Sequence, residues 1–335
     1  MDIEQNAFFS LATVESNEFD FQPKTFDDYC GQTDLKKKLR IYAEAARMRN
    51  EPLDHVLLFG PPGLGKTTLA TIMAHMMNVA IRVCSGPTLE RTGDLVAILS
   101  GLGEKDILFI DEIHRIPSIV EEVLYTAMEQ FYVDVIIGQG SGAKSIRIPL
   151  QPFTLIGATT KAGMISAPLR SRFGITERFD FYTPDELCEI VVQNARFVSV
   201  SIASDAAHTI ASAARGTPRV AKKLFRRVRD VAQVENNNKI TREVVTRAFS
   251  FLGVDQDGLM TLDHRLLDII TNHFGGGPVG VETLASMIGE DVQTIEDVYE
   301  PFLLRQGLLE KTPRGRQIPR SVLAKRLSGQ NSLFE

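Results

Sequence analysis

The residues with the clearest chemical meaning form a glycine-rich segment at residues 60–67 that ends in Lys66 and Thr67. The segment fits the phosphate-binding pattern G-x-x-x-x-G-K-[ST] and directly follows a short apolar run. Gly63 and Gly65 allow the backbone to curl, so that successive N–H groups point at phosphate oxygens. Lys66 can reach the β- and γ-phosphates, and the Thr67 hydroxyl can complete a Mg²⁺ shell. The segment therefore predicts binding of a nucleoside triphosphate.

An acidic pair follows a second apolar run, at residues 107–110. Asp111 would place a carboxylate beside the glycine-rich segment, where it can hold Mg²⁺ through the water shell of the metal. Glu112 would polarise an attacking water, which is the general-base role of a hydrolase rather than of a kinase. Thr159 ends a third apolar run and could orient that water or sense the γ-phosphate. A threonine that only caps the end of a strand is the structural alternative.

Arginines supply the remaining candidates. Arg170 and Arg172 lie in the segment 168–174, where packing explains them poorly. A planar, permanently charged guanidinium suits the charge that develops in phosphoryl transfer at a neighbouring subunit. Arg219 opens a later helix, from which it could reach the γ-phosphate and couple hydrolysis to movement of a second domain.

The apolar runs also predict the elements that must position these residues. They alternate with helical stretches, which indicates a doubly wound α/β domain with a parallel sheet. Ligands of such sheets bind at the carboxyl ends of the strands, where the glycine-rich segment falls. Period-two alternation over residues 132–150 predicts an inserted β-hairpin, either partner-binding or inert. Thr33 is the expected N-cap of a helix that runs to about Arg49.

The chain is expected to divide into four parts. These are a loose arm (1–20), a large α/β domain (21–182), an all-helical domain (183–253) and a third domain (256–335). The third domain is predicted to contain three short helices followed by two strands around a basic turn, which is a winged-helix arrangement. No strand is expected between residue 183 and this wing. One helical stripe is expected to be core rather than contact surface: Val292, Ile295, Val298, Tyr299 and Phe302.

The composition of the 335 residues, 44% hydrophobic and 24% charged, is that of an ordinary globular protein. No apolar stretch approaches the roughly 20 residues that span a bilayer, and we expect neither a signal peptide nor membrane association. Cys30, Cys84 and Cys188 form no metal-ligand pair, which favours a reducing cytoplasm. The net charge of −5 argues weakly against nucleic acid, but residues 215–229 and 305–326 form basic runs that a polyanion could contact.

Taken in order, these motifs resemble those of AAA+ ATPases, and within them the RuvB family of Holliday-junction branch-migration motors. The resemblance covers roughly residues 19–320 and draws on motifs in all three predicted domains. The segments that carry it are residues 53–68, 109–115, 152–160, 215–219, 276–280 and 312–316.

The resemblance implies an AAA+ domain followed by a helical lid and a winged helix. It implies a homo-hexameric motor that uses ATP and Mg²⁺ on double-stranded DNA at Holliday junctions, with a RuvA-like junction-binding partner and a RuvC-like resolvase. The implied catalytic residues are Asp111, Glu112, Thr159, Arg170 and the trans-acting finger Arg172, with Thr67 and Asp111 as metal ligands. The implied nucleotide contacts are Phe21, Gln22, Gly63, Gly65, Lys66, Thr67, Thr68, Glu129, Gln130, Phe131, Arg172, Tyr182 and Arg219. The implied DNA contacts are Lys311, Arg314 and Arg316, and the implied partner contacts are Ile146 and Ile148.

This chain departs from the family pattern in three places. Gln22 stands where the family usually has arginine, residues 129–131 replace a more acidic segment, and the tail after Arg320 matches no part of the family pattern.

Two other functions remain open on the residues alone. A clamp-loader subunit carries a finger similar to residues 171–173, but this chain lacks zinc-spaced cysteines and its C-terminus is winged. An ATP-switched DNA-binding regulator would assemble without doing work. Glu112 and Arg172 argue against such a switch, because it needs neither a water activator nor a finger.

Overall fold

The computed structural model describes residues 21–137 and 144–331. Contacts within the chain divide it into two compact units. The first unit lies within residues 1–201 and 216–223, and the second within residues 202–215 and 224–335. The predicted N-terminal arm and the tip of the predicted hairpin lie outside the described residues.

Strands and helices alternate through the first unit, as the apolar runs predict. The strands are β1 (Val56–Phe59), β2 (Ile81–Ser85), β3 (Ile107–Asp111), β4 (Tyr132–Ile137), β5 (Lys144–Pro149), β6 (Thr154–Thr159) and β7 (Ile175–Arg178). The helices are α1 (Thr33–Arg49), α2 (Lys66–Met77), α3 (Thr92–Ser100), α4 (Ser118–Gln130), α5 (Ala167–Arg170) and α6 (Pro184–Phe197).

The central sheet has five strands in the order β2-β3-β6-β1-β7, and every neighbouring pair is parallel. This confirms the predicted parallel sheet. The middle strands are apolar on both faces because helices cover the sheet on both sides. Phe109 and Leu57 are fully buried, for example, and Leu57 belongs to the same apolar cluster as Phe153.

Two details of the first unit differ from the prediction. Strand β7 was not predicted, and the segment with Arg170 and Arg172 directly precedes it. Thr33 is the first residue of α1 and not its N-cap, so that prediction is wrong. Gln32 precedes the helix with a left-handed φ of 51°, and its side-chain amide donates to the Asp180 carbonyl oxygen at 2.6 Å. A tertiary contact therefore sets this helix start.

The predicted hairpin is confirmed as an antiparallel pair, β4 with β5, that forms a sheet of its own. Val133 pairs with Ile148 and Val135 with Ile146. Val133 is buried against the core, whereas Ile146 is 47% exposed. The hairpin is thus anchored near its base, and Ile146, on the same face but nearer the turn, is exposed to solvent.

The second half of the chain is mostly helical. It contains β8 (Ser201–Ile202), α7 (Ser204–Ser212), α8 (Pro218–Glu235), β9 (Lys239–Ile240), α9 (Arg242–Leu252), α10 (Thr261–Phe274), α11 (Val281–Ile288), α12 (Val292–Thr294), a π-helical turn (Ile295–Tyr299), α13 (Glu300–Arg305), β10 (Glu310–Thr312), β11 (Gly315–Gln317) and α14 (Arg320–Asn331). The short strands β8 and β9, which pair with each other, were not predicted. None of the helices in the described part of the chain has the length and apolarity needed to cross a bilayer.

The C-terminal elements form the predicted winged helix. Strands β10 and β11 pair antiparallel around a turn, with Lys311 opposite Arg316. Ile295 and Phe302 of the predicted apolar stripe are buried in the domain core, but Val298 is 55% exposed. The prediction of a core stripe is therefore wrong for Val298.

A buried ion pair stabilises the second unit. The Arg215 guanidinium donates to the Asp263 carboxylate and, through Nε, to the Gly258 carbonyl oxygen at 2.8 Å. It also lies over the Phe302 ring, with Cζ 4.5 Å from the ring centroid. Asp263 is completely buried and accepts a further hydrogen bond from the Met260 backbone at 2.7 Å. The first member of the basic run 215–229 is thus structural and does not face a polyanion.

Replacement of Asp263 by alanine should destabilise the second unit strongly. The substitution leaves the Arg215 charge buried without its partner, which costs about 3–5 kcal/mol. Asp268→Ala is the matched control on the same helix, because Asp268 pairs with Arg326 while half exposed, and such pairs contribute about 1 kcal/mol or less. Urea unfolding followed by circular dichroism measures both. Equal midpoints for the two variants would contradict the role assigned to the buried pair.

Candidate functional site

The strand order brings three motif-bearing strand ends together. Strand β6 lies between β1 and β3, so the loop after β1, the threonines at the end of β6 and the acidic pair at the end of β3 share one edge. Phe59 is in register with Thr159, and the Gly60 backbone N–H donates to the Thr159 carbonyl oxygen at 3.1 Å. The sheet register therefore assembles residues that stand about a hundred positions apart in the sequence.

The glycine-rich loop has the geometry that phosphate binding requires. Gly63 and Gly65 adopt φ values of 78° and 98°, in the left-handed region that favours glycine, and α2 begins at Lys66. The Lys66 ammonium is buried and donates to the carbonyl oxygens of Gly60 at 2.8 Å and Pro61 at 2.9 Å. Burial lowers its pKa, although nearby carboxylates partly oppose this. The amine is thus held on the loop, beside the amides that would contact phosphate.

The acidic pair is held in a defined geometry. One Asp111 carboxylate oxygen accepts the Glu112 backbone N–H at 2.9 Å, and Glu112 itself has a left-handed φ of 48°. The Thr160 hydroxyl donates to the Glu112 carboxylate at 3.3 Å, and Nδ1 of His114 lies 3.2 Å from the same oxygen. Burial lowers the pKa of His114, which favours the neutral ring. Glu112 therefore has two neighbours that orient its carboxylate.

The two threonines at the end of β6 have different environments. Thr159 is fully buried, lies 2.9 Å from His114 Nδ1, and accepts the Lys161 N–H at 2.9 Å. The geometry therefore favours Thr160 over Thr159 as the hydroxyl beside the attacking water. Thr160 was not predicted from the sequence. The adjacent pair of threonines was the available signal, since consecutive strand residues point to opposite faces.

A cavity beside the glycine-rich loop is the candidate site for the base. Phe21 and Tyr182, both predicted, line it together with Tyr29, Thr68, Asn194, Pro218 and Lys222, among others. The Tyr182 hydroxyl lies 2.9 Å from the Tyr29 hydroxyl and 3.1 Å from the Leu64 carbonyl oxygen. Asn194 and Lys222 were missed, because no local pattern marks residues that meet only in the folded chain.

The N-terminal side of this pocket is tethered by two side chains. The Phe21 backbone N–H donates to Asn194 at 3.0 Å, and Lys222 donates to the Phe21 carbonyl oxygen at 2.7 Å. Gln22 is exposed and is not among the described residues that line the pocket. Its departure from the family arginine therefore falls outside the base pocket itself.

Arg219 lies at the glycine-rich loop. Its backbone N–H donates to the Gly63 carbonyl oxygen at 3.3 Å. A Cβ atom on Gly63 would lie only 2.8 Å from the Arg219 Cβ atom. The start of α8 therefore packs directly on the loop and places a guanidinium-bearing side chain there.

The two arginines of segment 168–174 contact other parts of the chain. Arg170 is exposed and donates to the Ala162 carbonyl oxygen at 3.0 Å. Arg172 contacts α4, where its Nε atom lies 3.1 Å from the Glu129 carboxylate. Phe131, at the end of the same helix, packs edge-on against Phe153, with ring centroids 6.0 Å apart. Glu129, Gln130 and Phe131 were predicted nucleotide contacts. In the structure Glu129 contacts Arg172, Phe131 packs on the core, and Gln130 is exposed.

The residues present also fit Mg²⁺. The candidate ligands are the Thr67 hydroxyl at the start of α2 and the Asp111 carboxylate at the end of β3. Both are oxygen donors, which hard cations of this size prefer, and both lie on the edge of the sheet that carries the glycine-rich loop.

The three predicted DNA contacts of the wing fall into two classes, exposed and buried. Lys311 and Arg314 are exposed, although Lys311 lies 3.3 Å from Glu296. Arg316 is buried, and its guanidinium contacts Glu300 at 2.5 Å and Glu296 at 2.6 Å. These carboxylates raise the pKa of Arg316 against the opposing effect of burial. The geometry of Arg316 therefore favours a structural role over a phosphate contact.

Family models match the described chain almost from end to end. The Holliday junction DNA helicase RuvB P-loop domain matches residues 21–179, the RuvB AAA lid domain residues 182–255, and the RuvB C-terminal winged helix domain residues 256–323. The chain belongs to the RuvB family. The match confirms the resemblance read from the motifs, and it confirms the order of the three folds.

Solved structures of a RuvB protein support the same assignment. The Thermotoga maritima RuvB Holliday junction branch migration motor is 46% identical in sequence, with a TM-score of 0.80. The alignment covers 92% of this chain and 98% of that one. A point mutant of the Thermotoga maritima RuvB is also 46% identical, with a TM-score of 0.82 over 92% of this chain and 99% of that chain.

Glu112→Gln should abolish turnover while nucleotide binding persists. The amide keeps the size of the side chain and can still contact Thr160, but it cannot accept the proton of the attacking water. Steady-state phosphate release and equilibrium binding of a fluorescent ATP analogue measure the two properties separately. Turnover equal to that of the unsubstituted protein would refute the role of Glu112 as water activator.

Arg314→Ala and Arg316→Ala should have different effects. Loss of Arg314 should lower the salt-dependence slope of DNA binding by about 1, without a change in thermal stability. Loss of Arg316 leaves the buried Glu300 without its main partner and should cost the winged helix about 3 kcal/mol or more. Fluorescence anisotropy with duplex DNA and thermal unfolding test both variants. If Arg316→Ala weakens DNA binding at unchanged stability, Arg316 is a DNA contact after all.

Proposed function

We propose that this protein is an ATP-driven DNA motor that moves the branch point of Holliday junctions in homologous recombination and DNA repair. The observation that carries the proposal is the match to all three RuvB domains, in order, over residues 21–323. An ATPase site assembled at one sheet edge and a winged helix in the same chain are the parts such a motor needs.

Hydrolysis follows from the roles of the site residues. Amides of the glycine-rich loop and Lys66 bind the triphosphate, and the base lies against Phe21 and Tyr182. Glu112, oriented by Thr160 and His114, accepts a proton from water as its oxygen attacks the γ-phosphorus and the bond to the β,γ-bridging oxygen breaks. Mg²⁺ held by Thr67 and Asp111 would neutralise charge on the phosphates.

A ring of identical subunits would complete the site. We propose a homo-hexamer in which Arg172, with Arg170 beside it, reaches the nucleotide of the neighbouring subunit and stabilises the charge of the transferred phosphoryl group. Arg219 would sense the γ-phosphate from the helix that it opens. The change at Arg219 would then move the helical lid and, through it, the winged helix on the DNA.

Partners follow from the exposed features. Lys311 and Arg314 would grip DNA phosphates without reading sequence. Ile146, exposed on the hairpin, and Ile148 beside it would dock a RuvA-like junction-binding protein, and a RuvC-like resolvase would act on the same junction. Three free thiols and a DNA substrate suit a reducing cytoplasm.

The two alternatives lose support from the same findings. A clamp-loader subunit would not carry a C-terminal winged helix of the RuvB type, which here matches residues 256–323. An ATP-switched regulator would not require the oriented carboxylate of Glu112.

A synthetic four-way junction tests the function directly. The full-length protein, ATP, Mg²⁺ and a RuvA-like partner should convert the junction into its duplex products, and Glu112→Gln should not. Omission of the partner and replacement of ATP by a non-hydrolysable analogue are the controls. Intact ATP binding without any junction conversion would overturn the motor assignment.

A further inference from the structure

Arg172 is held in place by one face of α4 and by its own segment. Its Cζ atom lies 4.4 Å from the centroid of the Tyr125 ring, within the range of a cation–π contact. Its Nη1 atom donates to the Pro168 carbonyl oxygen at 2.7 Å, and Nε lies 3.1 Å from the Glu129 carboxylate. The guanidinium therefore lies over an aromatic ring and is held by one hydrogen bond to a carbonyl oxygen and by an ion pair with a carboxylate.

Tyr125 is itself fixed by a network that includes the segment of Arg172. Its hydroxyl donates to the Glu121 carboxylate at 2.6 Å and lies 3.3 Å from the Ser166 hydroxyl. Ser166 also donates to Glu121, and it accepts the Leu169 backbone N–H at 3.2 Å as the N-cap of α5. Burial and the hydrogen bond to Glu121 raise the pKa of Tyr125, so the phenol stays neutral. The ring and the helix that precedes Arg172 are thus tied to the same two side chains.

We propose that Tyr125 is the positioning residue for Arg172: its ring is a platform that holds the guanidinium in the orientation needed at the neighbouring subunit. The proposal rests on the trans-acting role proposed above for Arg172. Arg172 has a long, flexible side chain that must contact a transition state across a subunit boundary. The rate of hydrolysis falls when such a side chain is not pre-oriented. A misplacement of about 1 Å can cost about 100-fold. Glu129 also contacts the Arg172 guanidinium and would help to hold it in this orientation.

The ring and the hydroxyl make separable contributions. Tyr125→Phe keeps the aromatic ring and should retain turnover within about threefold of that of the unsubstituted protein. Tyr125→Leu removes the aromatic face and should lower kcat of the DNA-stimulated ATPase by about 10- to 100-fold. The KM for ATP and the affinity for a fluorescent ATP analogue should change little, because Tyr125 does not line the nucleotide pocket of its own chain. Glu122→Ala, exposed on the same helix, is the matched control and should leave kcat unchanged.

Mixed rings distinguish positioning of a trans-acting finger from a defect in the subunit's own site. Tyr125→Leu subunits keep an intact site but present a poorly oriented Arg172, whereas Glu112→Gln subunits have an inactive site and a well-oriented Arg172. Mixing the two should raise turnover per Tyr125→Leu subunit above that of the pure Tyr125→Leu ring. A defect that acts within the same subunit would show no such rescue.

Arg172→Ala in the same assay distinguishes failure of the trans-acting role of Arg172 from failure of the positioning role of Tyr125. If Arg172→Ala retains full turnover, the trans-acting role fails and the proposal fails with it. If Arg172→Ala is inactive while Tyr125→Leu matches the unsubstituted ring, only the positioning role is overturned. The positioning role is also overturned if Tyr125→Phe and Tyr125→Leu lose turnover equally, or if mixed rings show no rescue of turnover. Should Tyr125→Leu fail to assemble, Tyr125→Met, of similar volume but without a ring, takes its place in each comparison.

Discussion

The parallel register of β1, β6 and β3 is the constraint on which the active site depends. Backbone hydrogen bonds hold Phe59 opposite Thr159, and the bond from Gly60 to Thr159 ties the phosphate loop to the next strand end. Residues from three separate segments therefore meet at one edge, because the three strand ends already converge there. Glu112 gains its orientation from Thr160 and His114 for the same reason.

Burial of charge decides the roles of the arginines. A buried guanidinium must be paired, so Arg215 and Arg316, which contact Asp263 and Glu300, serve stability. Arg314 is exposed on the wing and is free to meet phosphate. Arg172 falls between these cases, since its side chain is 20% exposed and rests on Tyr125. Its environment suits a guanidinium that is held in a fixed orientation but still accessible, unlike the buried and paired guanidinium groups of Arg215 and Arg316.

Motifs with strict spacing could be predicted, and partners brought together by folding could not. The loop at residues 60–67, the Asp111–Glu112 pair and Arg219 follow from local chemistry, and the structure gathers them at one site. Thr159 was predicted and Thr160 was not, because the sequence does not show which of two adjacent residues at a strand end faces the site. Asn194 and Lys222 could not be predicted, because each is an ordinary helix residue until the folded chain encloses a pocket.

The sequence by itself determined the order of the domains, the parallel sheet and the chemistry of triphosphate hydrolysis, because glycine-rich loops and strand-end carboxylates are readable from spacing alone. The tertiary structure decided which threonine touches Glu112, where α1 begins, and that Arg316 is paired and buried. It also placed Tyr125 under Arg172. These outcomes depend on contacts between residues far apart in the chain, and on the cost of burying a charge, neither of which a local pattern encodes.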